Sequence, residues 1–247
     1  MTEGADSKRT PKGELARQRI LESALQLFGS RGYEETTMRE IAAEAGCSPG
    51  LTYRYFASKE ELVLVLYHNL ADELDEYTRD LPPALLPERF HMAIAKQLEL
   101  MGPHREALGA LFGTALNPHS QAGVFSENTL DIRRQTRRTY LGIIGGTKDA
   151  PKAAQREDLA TVLYGAHLAI VLFWLIDQSH KAWRTQLFLT FLRDMLKLIQ
   201  PMLWLPPVSQ ALVRLADIIG PLLGDDRKTM PLPQGQIEDN RHMQPSQ

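Results

Sequence analysis

Gly46-Cys47-Ser48-Pro49-Gly50 has the spacing of a nucleophile elbow, in which a serine between two glycines attacks an acyl carbon from a sharp strand-to-helix turn. That chemistry needs a strand ahead of the serine. Residues 38–45 instead show helical period and caps, so the match is accidental and no catalytic residue is expected. His68 and Asp72 stand four apart on one helix face, a spacing that can hold a metal. No third ligand has suitable spacing, so neither a metal site nor a cofactor is expected. Cys47 is the single cysteine; it excludes an intramolecular disulfide, fits a reducing cytoplasm and serves as a small apolar filler in its turn. The chemistry that remains is recognition of a polyanion. Tyr53, Arg54 and Tyr55 carry polar tips that can reach phosphates, while Pro49, Gly50 and Leu51 form the leading turn of the same short segment, the part that sits deepest in a groove.

Those side chains need two short helices joined by a tight turn. Thr37 with Glu40 three residues on is a capping box, in which each side chain satisfies the other's free backbone N–H. Gly46 can take the left-handed conformation that ends the helix, Ser48 can cap the next one, and Pro49 fits a first helical position that needs no N–H. With only Cys47 between Gly46 and Ser48, the second helix must cross the first steeply and project its N-terminus outward, as a recognition helix does. Ser58 and Glu61 form a second box, and Lys59 beside it adds charge where a phosphate can lie.

Together these residues resemble the N-terminal domain of the tetracycline-repressor-like (TetR) family of bacterial transcription regulators, from about Arg17 to Leu66. The resemblance is carried by Ile20-Leu21-Glu22-Ser23-Ala24-Leu25-Gln26-Leu27-Phe28 with Gly32-Tyr33, by Thr37-Met38-Arg39-Glu40-Ile41-Ala42, and by the run from Ser48 to Glu60. It implies a homodimer of all-helical subunits, three N-terminal helices on double-stranded operator DNA, and a larger helical domain that dimerises and encloses a small-molecule effector. Contacts to DNA then fall on Thr37, Ser48, Gly50, Tyr53, Tyr55 and Lys59, with sequence choice on Met38, Arg39, Pro49, Leu51 and Arg54. Leu51-Thr52 departs from the family, which more often has Thr-Leu. The implied function is a repressor on a palindromic operator, released by its effector.

The 247 residues, 43% apolar and 23% charged, suffice for a sizeable core in one or two domains. A net charge of −2 gives no bulk attraction to nucleic acid, so attraction must come from segregated charge. Between Lys8 and Arg19, Lys8, Arg9, Lys12, Arg17 and Arg19 against Glu14 provide it, and a flexible basic arm is expected over 1–13. The polar N-terminus carries no apolar signal core, and a cytoplasmic location is expected.

Apolar residues recur at three- and four-residue intervals throughout, which predicts an all-α fold. The helix-turn-helix domain is expected over 14–57 and a helical dimerisation and ligand-binding domain over 58–223. Helices are expected near 14–31, from 58 to about 80, and near 88–101, 104–116, 126–144, 152–177, 181–200 and 207–223. From 224 the chain is polar and rich in Pro and Gln, which predicts a disordered tail to 247. Residues 159–176 carry no formal charge and are long enough to be weighed as a membrane span, which would make the chain a membrane-associated regulator or a partner-binding module. The favoured expectation is no membrane. Instead the segment packs with 181–200 and the same pair of a second subunit, through Leu159, Val162, Leu163, Ala166, Ile170 and Phe173 with Phe188, Phe191, Leu192 and Met195. A pocket for an apolar or aromatic ligand is expected among Tyr67, Phe90, Met101, Phe112, Phe125 and Tyr164, with Asn117 and His167 as polar anchors. Arg133, Arg134, Arg137 and Arg138 make a basic face that solvation explains and an acidic ligand or partner can use.

Overall fold

The computed structural model describes residues 11–117, 120–203 and 205–228. Among these are α1 (Pro11–Arg31), α2 (Met38–Glu44), α3 (Pro49–Tyr55), α4 (Lys59–Arg79), α5 (Leu86–Met101), α6 (Arg105–Ala110), α7 (Phe112–Leu116), α8 (Leu130–Gly145), α9 (Ala153–Ile176), α10 (Trp183–Ile199) and α11 (Pro206–Ile219), and no strand. The fold is all-α. The basic arm is shorter than its composition suggests, because Pro11, tolerated in a first turn, opens α1 and makes Lys12 helical. Lys8 and Arg9 lie outside the described residues.

In α1, Ile20, Ala24 and Phe28 recur every four residues and are fully buried, meeting Ile41 of α2 and Phe56 at the end of α3. Burying an Ile or Phe side chain contributes about 1.5–3 kcal/mol. The Phe28 and Tyr33 rings meet edge on, with centroids 5.1 Å apart. Gly46 takes φ +61°, the left-handed turn that lets α3 start so soon after α2. Twenty-one residues of α4 extend about 30 Å at ~1.5 Å per residue, far enough to serve two cores. Its Leu62, Val63 and Leu66 belong to the first core. Near its far end Tyr77 packs on a second, built from Phe90 and Ile94 of α5, Tyr140 and Ile143 of α8, and Leu163 of α9.

The single helix expected over 104–116 is broken at Leu111. Gly109 and Gly113 flank the break, and glycine costs about 1 kcal/mol in a helix interior, so propagation fails there. Helix α9 is long and apolar enough to cross a membrane by length and composition, and it packs here as a core helix against α8 and α11. Gly165 lets α11 come close: a Cβ there would stand 3.1 Å from Ile219 Cδ1. This packing corrects three interface expectations. Leu159, Leu163 and Ile170 face the inside of the chain's own fold, at 3%, 5% and 1% exposure. Val162, Ala166, Phe173, Phe188, Leu192 and Met195 are half-buried, with the Phe173 and Phe188 rings tilted against each other and their centroids 5.0 Å apart, while Phe191 is exposed.

The expected tail starts too early. After Gly224, at φ +74°, Asp225 turns inward and is 1% exposed, and the structure continues through Lys228. Asp225 Oδ2 accepts from Thr161 Oγ1 at 2.9 Å and from Arg227 Nη2 at 2.6 Å, and lies 3.1 Å from Arg137 Nη2. Residues 229–247 lie outside the described residues.

Candidate nucleic-acid interface and buried cavity

Local capping fixes the outward face of α2 and α3. Glu40 Oε2 accepts from the Thr37 backbone N–H at 2.8 Å, and Thr37 Oγ1 accepts from the Glu40 N–H at 3.3 Å. Hydrogen bonds from Thr37 hold the Glu40 carboxyl below its usual range. Ser48 Oγ accepts from the Leu51 N–H at 3.2 Å, and Thr52 Oγ1 donates to the Ser48 carbonyl. Thr52 is wholly buried, so in the Leu51-Thr52 pair it is Leu51 that remains available to the outside. Thr37, Arg39, Ser48, Pro49, Gly50, Tyr53 and Arg54 are all exposed, and Arg39 and Arg54 make no ion pair among the described residues.

Three expected contacts sit differently. Met38 is buried in the first core at 8% exposure, where it supports α2 instead of meeting a base. Tyr55 is half-buried against the same core. Lys59 donates from Nζ to the Tyr33 carbonyl at 2.7 Å and stands 4.4 Å from the Tyr33 ring centre, which clamps the turn after α1 to the start of α4. Tyr33 in turn donates to Glu60 at 3.0 Å. The second capping box also differs in detail: Ser58 Oγ accepts from the Glu61 N–H, but Glu61 reaches back to the N–H of Ala57. The basic run contributes more than charge at a distance. Lys12 and Arg19 line a shallow groove with 46–48, Leu51 and Tyr55, so cations of α1 border the exposed end of α3.

Farther along α4, a cavity of about 150 Å³ opens between α4, α5, α6, α7, α8 and α9. Tyr67, Met101, Phe112, Tyr164 and His167 line it, as the sequence suggests. Phe90 does not; it packs in the second core, its ring 6.1 Å from that of Tyr140. Asn117 and Phe125 are exposed beyond the cavity. Sequence reasoning missed Gln97 and Thr136 in the wall, and set Arg133 on a basic face open to an acidic ligand or partner instead of in the cavity. The signal for Arg133 lay in spacing, since it shares the buried stripe of α8 with Thr136, Tyr140 and Ile144. The supposed basic face therefore divides: Arg133 and Arg137 are buried, Arg134 half-buried and Arg138 exposed. His167 is buried among aromatic rings, and loss of hydration pushes its imidazole down to about 4, so it is neutral at neutral pH. Burial likewise raises the Tyr164 phenol well above its usual range.

Two routes join the cavity to the outward face of α2 and α3. Helix α4 begins beside α3 and lines the cavity through Tyr67, Leu70 and Leu74. Helix α6 supplies Leu108 to the cavity and packs its other side on α1, at Gly29. A Cβ on Gly29 would lie 2.9 Å from Glu106 Cβ and 3.3 Å from the Ala107 nitrogen. Gly29→Ala must therefore push α1 away from α6, and a loss of about 1–3 kcal/mol in urea unfolding is expected, as for other overpacked contacts. An unchanged midpoint would show that this contact yields freely. At the far end of α9, Arg105 Nη2 donates to the Trp174 carbonyl at 2.6 Å and also to that of Asp177, tying α6 to the turn before α10.

Residues 20–66 match the family model described as bacterial regulatory proteins, tetR family. Over 69 residues the chain is 39% identical to the HTH-type transcriptional regulator HbdR of Aromatoleum sp. (strain CIB), covering 28% of this chain and 29% of that protein. Over 71 residues it is 38% identical to the HTH-type transcriptional regulator BetI of Brucella canis, covering 29% and 34%. The chain thus matches about a third of the length of these relatives. Among solved structures, Salmonella enterica GusR superposes with a TM-score of 0.58 at 21% identity, over 75% of this chain and 95% of that one. A tetR-family transcriptional regulator from Streptomyces coelicolor gives 0.55 at 22%, over 88% and 92%. These likenesses carry the helical fold through the second domain. The similarity to the tetR family of bacterial regulatory proteins is thus carried by the N-terminal helix-turn-helix, over residues 20–66.

Proposed function

We propose that this chain is a ligand-responsive transcriptional regulator, a repressor that binds a palindromic operator as a homodimer in the cytoplasm and leaves it when a small effector fills the cavity. The observation that carries this reading is the outward face of α2 and α3, where exposed Thr37, Arg39, Ser48, Gly50, Tyr53 and Arg54 stand on a scaffold fixed by caps and joined through α4 to the cavity. In a symmetric dimer the two α3 helices enter major grooves about 34 Å apart. Apolar side chains left exposed near the end of α9 and along α10, namely Leu172, Ile176, Leu187, Phe191 and Leu198, supply a surface for the second subunit. They replace the buried positions of α9 in that role.

Release requires the effector to favour the conformation that does not fit DNA, and couplings of this kind are about 1–3 kcal/mol. Movement of α4 and of the α1–α6 contact would change the spacing of the two heads. Selection of duplexes from a random pool at near-physiological salt tests the function, since non-specific attraction fades as salt rises. Enrichment of an inverted repeat supports the reading; a folded protein that enriches nothing, with or without cavity ligands, removes it. Arg54→Ala is expected to cost about 1–3 kcal/mol on the selected operator and to relax preference at one position per half-site. Titration of operator and scrambled duplexes checks this, and equal losses on both would make Arg54 a backbone contact.

A further inference from the structure

Arg133 is an unusual wall for an apolar cavity. It is 5% exposed and forms no ion pair among the described residues. Its Nη1 donates to the carbonyls of Val124 and Ser126, each at 2.8 Å, and to Thr129 Oγ1 at 2.7 Å, which anchors the guanidinium firmly. Its Nε is buried with no partner, and no hydrogen bond among the described residues engages Nη2. The edge formed by these two nitrogens is the one that pairs side-on with a carboxylate through two parallel hydrogen bonds. Gln97 and His167, at 5% and 6% exposure, line the same cavity, and Gln97 Oε1 and His167 Nδ1 also lack partners. A buried cation without an ion-pair partner is costly, and a ligand that pairs with it directly offsets that cost. Apart from Thr129 and Thr136, the rest of the wall is apolar and aromatic, with Tyr67, Met101 and Phe112 among its residues. The volume, about 150 Å³, matches a cavity that takes up a benzene ring.

Resting on the reading of this cavity as the effector site, we propose that the effector is a small amphipathic carboxylic acid, about one ring in size, whose carboxylate pairs with the Nε and Nη2 edge of Arg133. Its apolar body then lies toward Tyr67, Met101 and Phe112, and its charge gives the guanidinium the direct partner that Glu127, which acts on it electrostatically without an ion pair, does not supply. Neutral molecules of the same shape leave the guanidinium unpaired, and cations are repelled by it.

Calorimetric titration of the full chain with benzoate and phenylacetate, against benzamide and benzyl alcohol, tests the charge. The acids are expected to bind at least about tenfold more tightly than the neutral molecules, a difference that one charge-assisted hydrogen bond supplies. Arg133→Met is expected to abolish that preference and Arg133→Lys to keep part of it. Should the Met variant fail to fold, the wild-type series decides alone. Equal or tighter binding of the neutral molecules would overturn the acid while leaving the cavity as a ligand site, and no binding by any of the four would overturn it too. The same ligands added to the operator complex test the reading beneath: an acid that binds in the calorimeter yet leaves DNA affinity unchanged supports the ligand chemistry and overturns the cavity's regulatory role.

Discussion

Asp225→Ala is expected to destabilise the protein by about 3–5 kcal/mol, the range for removing one partner of a buried ionic network. The carboxylate is 1% exposed and holds together three parts of the chain: Arg137 of α8, Thr161 of α9 and Arg227 just beyond it. Burial alone would raise its carboxyl, but hydrogen bonds from Arg227 and Thr161 and the charge of Arg137 overcome that and lower it. Without Asp225, Arg137 keeps Glu157 as its one ion-pair partner among the described residues, while Arg227 is left with Asp158, which Lys228 also pairs, and Glu157. The exposed neighbour provides the control. Asp226 meets Arg134 at the surface, at 2.8 Å, and Asp226→Ala is expected to change stability by less than about 1 kcal/mol. Urea unfolding followed by circular dichroism compares the two. Similar midpoints for both variants would mean that 224–228 contribute little to the fold.

That network also shows why the end of the domain could not be read from composition. Residues 225–228 are charged and follow a left-handed glycine, which is what a solvated tail looks like; only the three-dimensional placement of Arg137 and Thr161 makes Asp225 a core residue. The helix-turn-helix was legible because its signals are local. Thr37, Glu40, Gly46, Ser48 and Pro49 act on backbone groups within four residues, so spacing alone locates each end. Met38 shows the limit of local reading, since only the core beneath α2 decides which way it points. The cavity is harder still. Phe90 and Phe112 are alike in type and helical setting, yet Phe90 closes on Tyr140 while Phe112 borders empty space. In α9 the apolar residues run around the whole helix, so periodicity gives no direction, and whether α11 or a second subunit covers Leu163 is a matter of tertiary packing.

His167 should make folding sensitive to mild acid. Its ring is fixed between Tyr140 and Tyr164, with centroids 5.7 Å and 5.8 Å away, and the charged group lining the same cavity is the Arg133 cation. Nothing there favours a second positive charge. The imidazole is lowered from the usual 6.5 to about 4 by loss of hydration. In the unfolded chain it takes up a proton near 6.5 and in the folded chain only near 4, so the unfolded state binds more protons between those values. Stability from this group is complete above about pH 6.5 and is lost as pH falls toward 4, by on the order of 3 kcal/mol for the whole gap. His167→Phe keeps an aromatic ring between the two tyrosines and removes the titration. Other groups titrate in the same range, so the difference between the two proteins is the quantity to follow. Urea unfolding of both at steps from pH 7.5 to 4.5 is expected to show the wild type losing ground on the variant at each step below 6.5. Parallel curves would mean that the folded protein opens enough to hydrate the imidazole, and the cavity wall at α9 would then be looser than its packing implies.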